Sequence, residues 1–190
     1  MYAGTRLPCD GLPEIVLFGR SNAGKSMLIN RLAHNAGLAR VAKAPGKTRY
    51  RHFFRFGDLF YLVDLPGYGF SSVSKTEKAS WGKLVDDSIK DRPTLAGGIL
   101  VVDARRPSTE LDHDLVQWWQ AKAARTLFIV ASKADKLTHQ EVTTLRDELP
   151  RLYEIAEDRW YIVSKDSSSA VDALRRAVID SAKTWKALSS

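Results

Sequence analysis

The chain has 190 residues, 44% of them apolar and 27% charged, which fits one domain with a sizeable core and excludes disordered, collagen-like and low-complexity classes. Lys and Arg number 29 against 22 Asp and Glu, a net charge of +7 that favours a polyanionic partner, and the single cysteine excludes a disulfide scaffold and a Cys-based zinc site. No apolar run approaches the roughly 20 residues of a bilayer span, and the first residues lack a signal-peptide core, so a soluble cytoplasmic protein is expected.

Residues 1–11 read as a short leading segment and residues 12–188 as a single domain, since no Pro/Gly/Ser-rich linker divides them. Glu14 to Phe18 has the composition of a strand and Lys25 to Ala33 the spacing of a helix. Between them stands Gly19-Arg20-Ser21-Asn22-Ala23-Gly24-Lys25-Ser26, a G-x-x-x-x-G-K-[ST] string in its required strand–loop–helix setting. Such a loop turns backbone N–H groups inward onto phosphate oxygens, and the following helix N-terminus adds positive potential. Lys25 is placed to reach the β- and γ-phosphates, and the Ser26 hydroxyl to ligate magnesium. ATPases, nucleotide kinases and GTPases all use this loop, so it does not name the base.

The basic charge lies mostly at the front of the chain. The first 55 residues hold 10 Lys and Arg against 2 Asp and Glu, whereas the other 135 hold 19 against 20. Arg31, Arg40, Lys43, Lys47, Arg49, Arg51 and Arg55 follow one another without an intervening acid, and Lys43-Ala44-Pro45-Gly46-Lys47-Thr48 places a threonine on that loop as a second magnesium ligand. Tyr50 to Phe56 and Leu59 to Asp64 read as two strands joined by a two-residue turn at Gly57-Asp58. Alternation along the first sets Arg49, Arg51 and Arg55 on one face, an arginine stripe suited to an RNA backbone. A solvated strand face with ordinary phosphate neutralisation is the alternative.

Asp64-Leu65-Pro66-Gly67 closes the second of these strands; Asp64 can hold magnesium through water, and the Gly67 N–H can meet a γ-phosphate. A helix is expected from about Thr76 to Lys90, a buried strand from Gly98 to Asp103, and a helix through Leu111, Leu115, Trp118 and Trp119. Leu127 to Ser132 is the next strand, and the triplet Lys133-Ala134-Asp135 follows it. The Asp135 carboxylate at a strand's C-terminal edge can accept from N1–H and the amine of guanine, which adenine cannot supply, while the Lys133 stem lies along the base. Thr138 and Glu141 have capping-box spacing at the start of a further helix, Trp160 to Ser164 is the last strand, and Val171, Leu174 and Val178 mark a final helix. The order implies an α/β fold: a six-stranded, mostly parallel sheet with one antiparallel edge strand and helices on both faces. His34, His52, His113 and His139 fit no metal spacing, and Trp118-Trp119 read as packing.

Taken together, GRSNAGKS, the P-G-K-T loop, DLPGYG, the VDARRP segment at 102–107 and SKADK resemble the EngB (YihA/YsxC) family of bacterial ribosome-assembly GTPases, from about Leu12 to the last helix. The resemblance implies a P-loop GTPase fold and a monomeric GTP/GDP-binding, GTP-hydrolysing switch. It implies action with the large ribosomal subunit during maturation, and so in growth, division and septation. On that pattern Gly19 to Ser26, Gly46-Lys47-Thr48, Asp64 to Gly67, Ser132 to Asp135 and Val163-Ser164-Lys165 contact the nucleotide. Ser26, Thr48 and Asp64 serve Mg2+, and Lys25, Gly67 and Asn22 serve hydrolysis, Asn22 by helping to hold K+. Ser132 and Ala44 stand where the family usually has Thr, Arg49 where it has Gln, and Ser164-Lys165-Asp166 is a weak fifth motif. Tyr68 occupies the position of the water-orienting glutamine of Ras-type enzymes, so intrinsic hydrolysis is expected to be slow. Two other readings stay open: a nucleotide-dependent RNA-binding module with vestigial hydrolysis, and a P-loop small-molecule kinase, although an acceptor-binding lid insertion is lacking.

Overall fold

The computed structural model describes residues 3–4, 8–39, 51–68, 86, 89, 92–166 and 168–189. In chain order the elements are β1 (Ala3–Gly4), β2 (Glu14–Gly19), α1 (Lys25–Leu32), β3 (His52–Phe56), β4 (Phe60–Asp64), β5 (Leu95–Asp103), α2 (Glu110–Lys122), β6 (Thr126–Ser132), α3 (His139–Tyr153), β7 (Trp160–Val163) and α4 (Ser168–Ser189). They form one sheet in the order β1-β3-β4-β2-β5-β6-β7. The six expected strands are all present, and β4, β2, β5, β6 and β7 pair in parallel. The expected loop residues Gly46, Lys47 and Thr48, together with Arg40, Lys43, Arg49 and Tyr50, lie outside the described residues. So does most of the expected helix from Thr76 to Lys90, of which Asp86 and Ile89 are described.

Strand β3 pairs antiparallel with β4, as expected, but it does not form the sheet's edge. Ala3 and Gly4 pair with Phe54 and Phe53 on its outer side, so a two-residue β1 adds a seventh strand and satisfies backbone groups that an edge would leave open. The hairpin turn is also longer than expected. Phe56 pairs with Phe60 and their rings stack 4.8 Å apart, which makes Leu59 part of a three-residue loop and leaves it 43% exposed.

Strand β2 reads as an unbroken apolar run because both its faces are covered. Val16 and Phe18 face one core with Leu100, Val102 and Ile129, closed by Leu115, Val116 and Trp119 of α2 and by Leu145, Leu149 and Tyr153 of α3. Ile15 and Leu17 face the other with Ile99, Val101 and Val130, closed by Leu28, Ile29 and Leu32 of α1 and by Val171, Leu174, Val178 and Ala182 of α4. On β3 the same alternation brings an apolar residue onto the face that carries Arg51 and Arg55. Phe53 shares the face assigned to arginine and is buried in the first core. Arg55 is held by Gly57 O at 2.9 Å and Asp58 at 2.8 Å, lies 3.8 Å from Asp10 and stands over the Tyr61 ring. Its charge is paired with acidic neighbours at the surface.

Candidate functional site

The expected nucleotide-contacting loops that are described converge at the C-terminal ends of β2, β4, β6 and β7, where ligands of open α/β sheets sit. After β2 the chain turns through Asn22 at φ 63° and Gly24 at φ 104° into α1. Gly24 is the N-cap and supplies no side-chain hydrogen bond, which leaves the first-turn N–H groups of α1 for a phosphate. A Cβ at Gly24 would also stand 2.9 Å from Ser132 Oγ, so the loop can lie this close to β6 only as glycine. Lys25 Nζ donates to Gly19 O at 3.3 Å across the loop. Burial lowers its pKa, and Asp64 opposes that shift.

Asp64 ends β4 beside His52 of β3 and is only 8% exposed. Burial pushes its carboxyl up to about 6 against the pull of Lys25 and His52, and its Oδ1 has no hydrogen-bond partner among the described residues. An orphaned, buried carboxylate oxygen at a strand end is a donor of the kind a hard cation takes. Among the described residues no cluster of three or more His, Cys, Asp or Glu could hold a metal by itself.

Beyond Asp64 the chain lies on the phosphate loop. Leu65 N donates to Leu17 O at 3.0 Å and Ser21 N to Tyr68 O at 2.9 Å. A Cβ on Gly67 would fall 2.6–2.8 Å from Ser21 atoms, two of them backbone, so only glycine allows this contact. The Tyr68 ring turns the other way, into the core under the sheet, and its hydroxyl donates to Asp112 Oδ1. Burial first, and then the Asp112 charge and hydrogen bond, raise the phenol far above its ordinary pKa and keep it a donor.

At the end of β6, Ser132 is fully buried and its hydroxyl donates to Ala23 O. Lys133, at φ 63°, sends Nζ to Asn22 O and to Asp103 Oδ2, the latter at 2.8 Å. Asp103 is gripped in turn by Arg105, through Nε at 2.9 Å, Nη2 at 2.7 Å and the backbone N–H at 3.1 Å. Burial works against the Asp103 charge, but the bonds from Arg105 and Lys133 outweigh it and hold the carboxyl well below the usual range. The backbone N–H of Lys165 donates to Asp135, and Arg31 Nη1 donates to Ser164 O, so the weak fifth motif is tied to both the fourth motif and α1.

A family model described as "50S ribosome-binding GTPase" matches residues 14–133. The chain is 38% identical over 186 residues to a probable GTP-binding protein EngB of Alkaliphilus metalliredigens, covering 98% of this chain and 85% of that protein. A Clostridium beijerinckii protein of the same description is 40% identical over 168 residues, covering 88% and 84%. The chain belongs to the EngB family of GTPases.

Solved structures share the fold of this EngB chain. A crystal structure of a probable EngB superposes with a TM-score of 0.73 at 22% identity, covering 90% of this chain and 99% of that one. Era in complex with MgGDPNP and nucleotides 1506–1542 of 16S ribosomal RNA superposes at 0.69 with 19% identity, covering 89% and 56%. At these identities the two share the fold. Within this EngB chain the structure brings together Gly19 to Ser26, Asp64 to Gly67, Ser132 to Asp135 and Val163 to Lys165. Asp103, Arg105, Arg31 and Asp112 were not among the expected site residues. For Asp103 the available signal is an acid at the C-terminal end of a buried strand; for Arg31 and Asp112 it is their partners, 133 and 44 residues away in sequence. No helix among the described residues is long and apolar enough to cross a membrane.

Proposed function

We propose that residues 12–188 form a monomeric cytoplasmic switch that hydrolyses GTP slowly by itself and acts in assembly of the large ribosomal subunit, and so in growth and division. The observation that carries this reading is the convergence of the loops: the phosphate loop is bonded to the base loop through Ser132 and Lys133, and the base loop to the fifth loop through Asp135. Lys25 and the first-turn amides of α1 hold the β- and γ-phosphates. Ser26, Asp64 and Thr48 serve Mg2+, which supplies charge neutralisation at the phosphates. Asp135 selects guanine, Lys133 covers its face, and Gly67 meets the γ-phosphate.

Tyr68 brings no carboxamide to the attacking water, and its ring is turned into the core. Asn22 supports water positioning and charge stabilisation indirectly, by helping to hold K+ beside the phosphates. Lys43, Lys47 and Arg49 of the basic 31–55 segment carry the RNA-facing surface, whereas Arg31 and Arg55 are engaged within the fold. The test is nucleotide binding and single-turnover hydrolysis with GTP and ATP, in sodium and in potassium, with and without large ribosomal subunits. Preference for GTP, and turnover raised by potassium and by subunits, are expected. Preference for ATP overturns the base assignment, equal rates in sodium and potassium overturn the role of Asn22, and no hydrolysis under any condition leaves an RNA-binding module.

A further inference from the structure

Tyr68 carries two independent connections that run in opposite directions. Its backbone oxygen accepts from Ser21 N–H at 2.9 Å, and it forms a parallel bridge with Arg20, which seats residues 67 and 68 on the phosphate loop. Its side chain is 6% exposed and reaches through the core to Asp112, which is 1% exposed. Asp112 lies in the first turn of α2, where the helix dipole favours an acid, and its second oxygen accepts from the N-cap hydroxyl of Thr109 at 2.6 Å. Both carboxyl oxygens are therefore occupied, one by the helix's own cap and one by the residue after Gly67.

This anchor has a fixed base. Helix α2 packs through Trp119 against Phe18, the residue before the phosphate loop begins, with ring centroids 5.4 Å apart. The chain from Phe18 through Ser21, Tyr68 and Asp112 back to α2 and Trp119 thus closes on itself. The Gly67 backbone sits inside that loop, too close to Ser21 to tolerate a Cβ. A displacement of the Tyr68 backbone is passed to the Gly67 peptide joined directly to it.

We infer that Asp112 is a positioning residue: by holding the Tyr68 hydroxyl it fixes the Gly67 N–H at the height of a γ-phosphate, and so sets the affinity for nucleoside triphosphate relative to diphosphate. The inference rests on the nucleotide-site reading above and adds to it a side chain that touches neither nucleotide nor metal. Packing alone would make a different mark. A residue that only stabilises the fold weakens both nucleotides alike when it is changed, whereas one that places the Gly67 N–H weakens only the triphosphate, the species that presents a γ-phosphate.

The test is titration of GDP and of a non-hydrolysable GTP analogue on the wild-type chain, Tyr68→Phe, Asp112→Ala and the double variant. Tyr68→Phe keeps the ring and its packing and removes only the hydroxyl. Each single variant is expected to raise the analogue's Kd by about tenfold, as for a lost charge-assisted hydrogen bond, and to leave that of GDP within about twofold. The double variant is expected to be no weaker than the weaker single one. Equal losses for GDP and the analogue, no loss for either, or a double variant equal to the product of the singles overturns the inference. Should Asp112→Ala not fold, the ratio measured on Tyr68→Phe decides alone. If the wild-type chain binds neither nucleotide, the site reading itself fails and this inference falls with it, whereas normal GDP binding without a differential loss removes the anchor only.

Discussion

The backbone N–H of Lys165 donates to Oδ1 of Asp135 at 3.2 Å, which fastens the loop after β7 to the carboxylate assigned to base selection. Burial opposes the charge, but that bond, the residue's own backbone N–H and the neighbouring Lys136 together hold the Asp135 carboxyl below its usual range, as an acceptor of hydrogen bonds. Asp135→Asn turns one acceptor into a donor, which guanine's own amine and N1–H cannot match but the C2 carbonyl of xanthine can. GTP affinity should fall by on the order of 100-fold or more, and XTP affinity should rise. Competition titration with GTP, XTP and ATP measures both, and an unchanged preference for GTP sinks the assignment.

A second prediction concerns pH. Because the folded-state pKa of Asp103 is depressed, its contribution to stability is present above the unfolded-state value near 4 and is lost as pH falls through that value toward the folded one. Asp103→Asn should lower Tm at pH 7, and the gap from wild type should close below about pH 4. It should also weaken guanine nucleotide binding, since Lys133 loses the partner that holds its ammonium. A gap in Tm that is constant from pH 7 to pH 3 contradicts the assignment.

Gly98 of β5 lies under the Trp119 ring, and a Cβ there would come within 2.6 Å of it. The ring cannot retreat easily, because its Nε1 donates to Arg125 O at 2.8 Å and its face meets Phe18. Gly98→Ala should cost about 1–3 kcal/mol by overpacking, read from denaturant unfolding. Trp119→Phe in the same chain should restore part of the loss, because it shortens the offending ring.

The position of Arg55 separates two kinds of basic residue. Reversing Lys43, Lys47 and Arg49 to Glu should weaken association with large ribosomal subunits and flatten its dependence on salt. Arg55→Glu should leave association intact while loosening the hairpin from Asp10 and Asp58. Co-sedimentation across a salt series distinguishes them, and equal losses from both would return Arg55 to the binding surface.

Much of the fold is legible in the sequence, for a physical reason. Strands β2, β5 and β6 are covered on both faces, so their runs are apolar throughout and their ends carry the glycine and acidic signals of the loops. The phosphate loop and the Lys133-x-Asp135 triplet are local strings, and local strings can be read without knowing which strands are neighbours. What is not legible depends on that neighbourhood. Lys133 meets Asp103 because β5 and β6 pair with Asp103 opposite Ser132, and Tyr68 meets Asp112 because α2 returns under the same part of the sheet. The burial of Phe53 is of the same kind. Alternation tells which residues share a face but not whether that face is covered, and here both faces of β3 are.

The strand order also constrains how the chain is made. Strand β2, which leads into the phosphate loop, is paired on both sides by strands that come later, β4 and then β5. At roughly 5–20 residues per second, the ~80 residues between Gly19 and Val101 take about 4–16 s to synthesise. Through that interval the future nucleotide-binding loop hangs from a strand with an open side and apolar faces. Binding competence therefore arrives late in translation, after β5 has closed the central sheet and the loops that follow β6 and β7 have been made, and an emerging chain stalled before β5 would present that apolar strand to chaperones or to other chains.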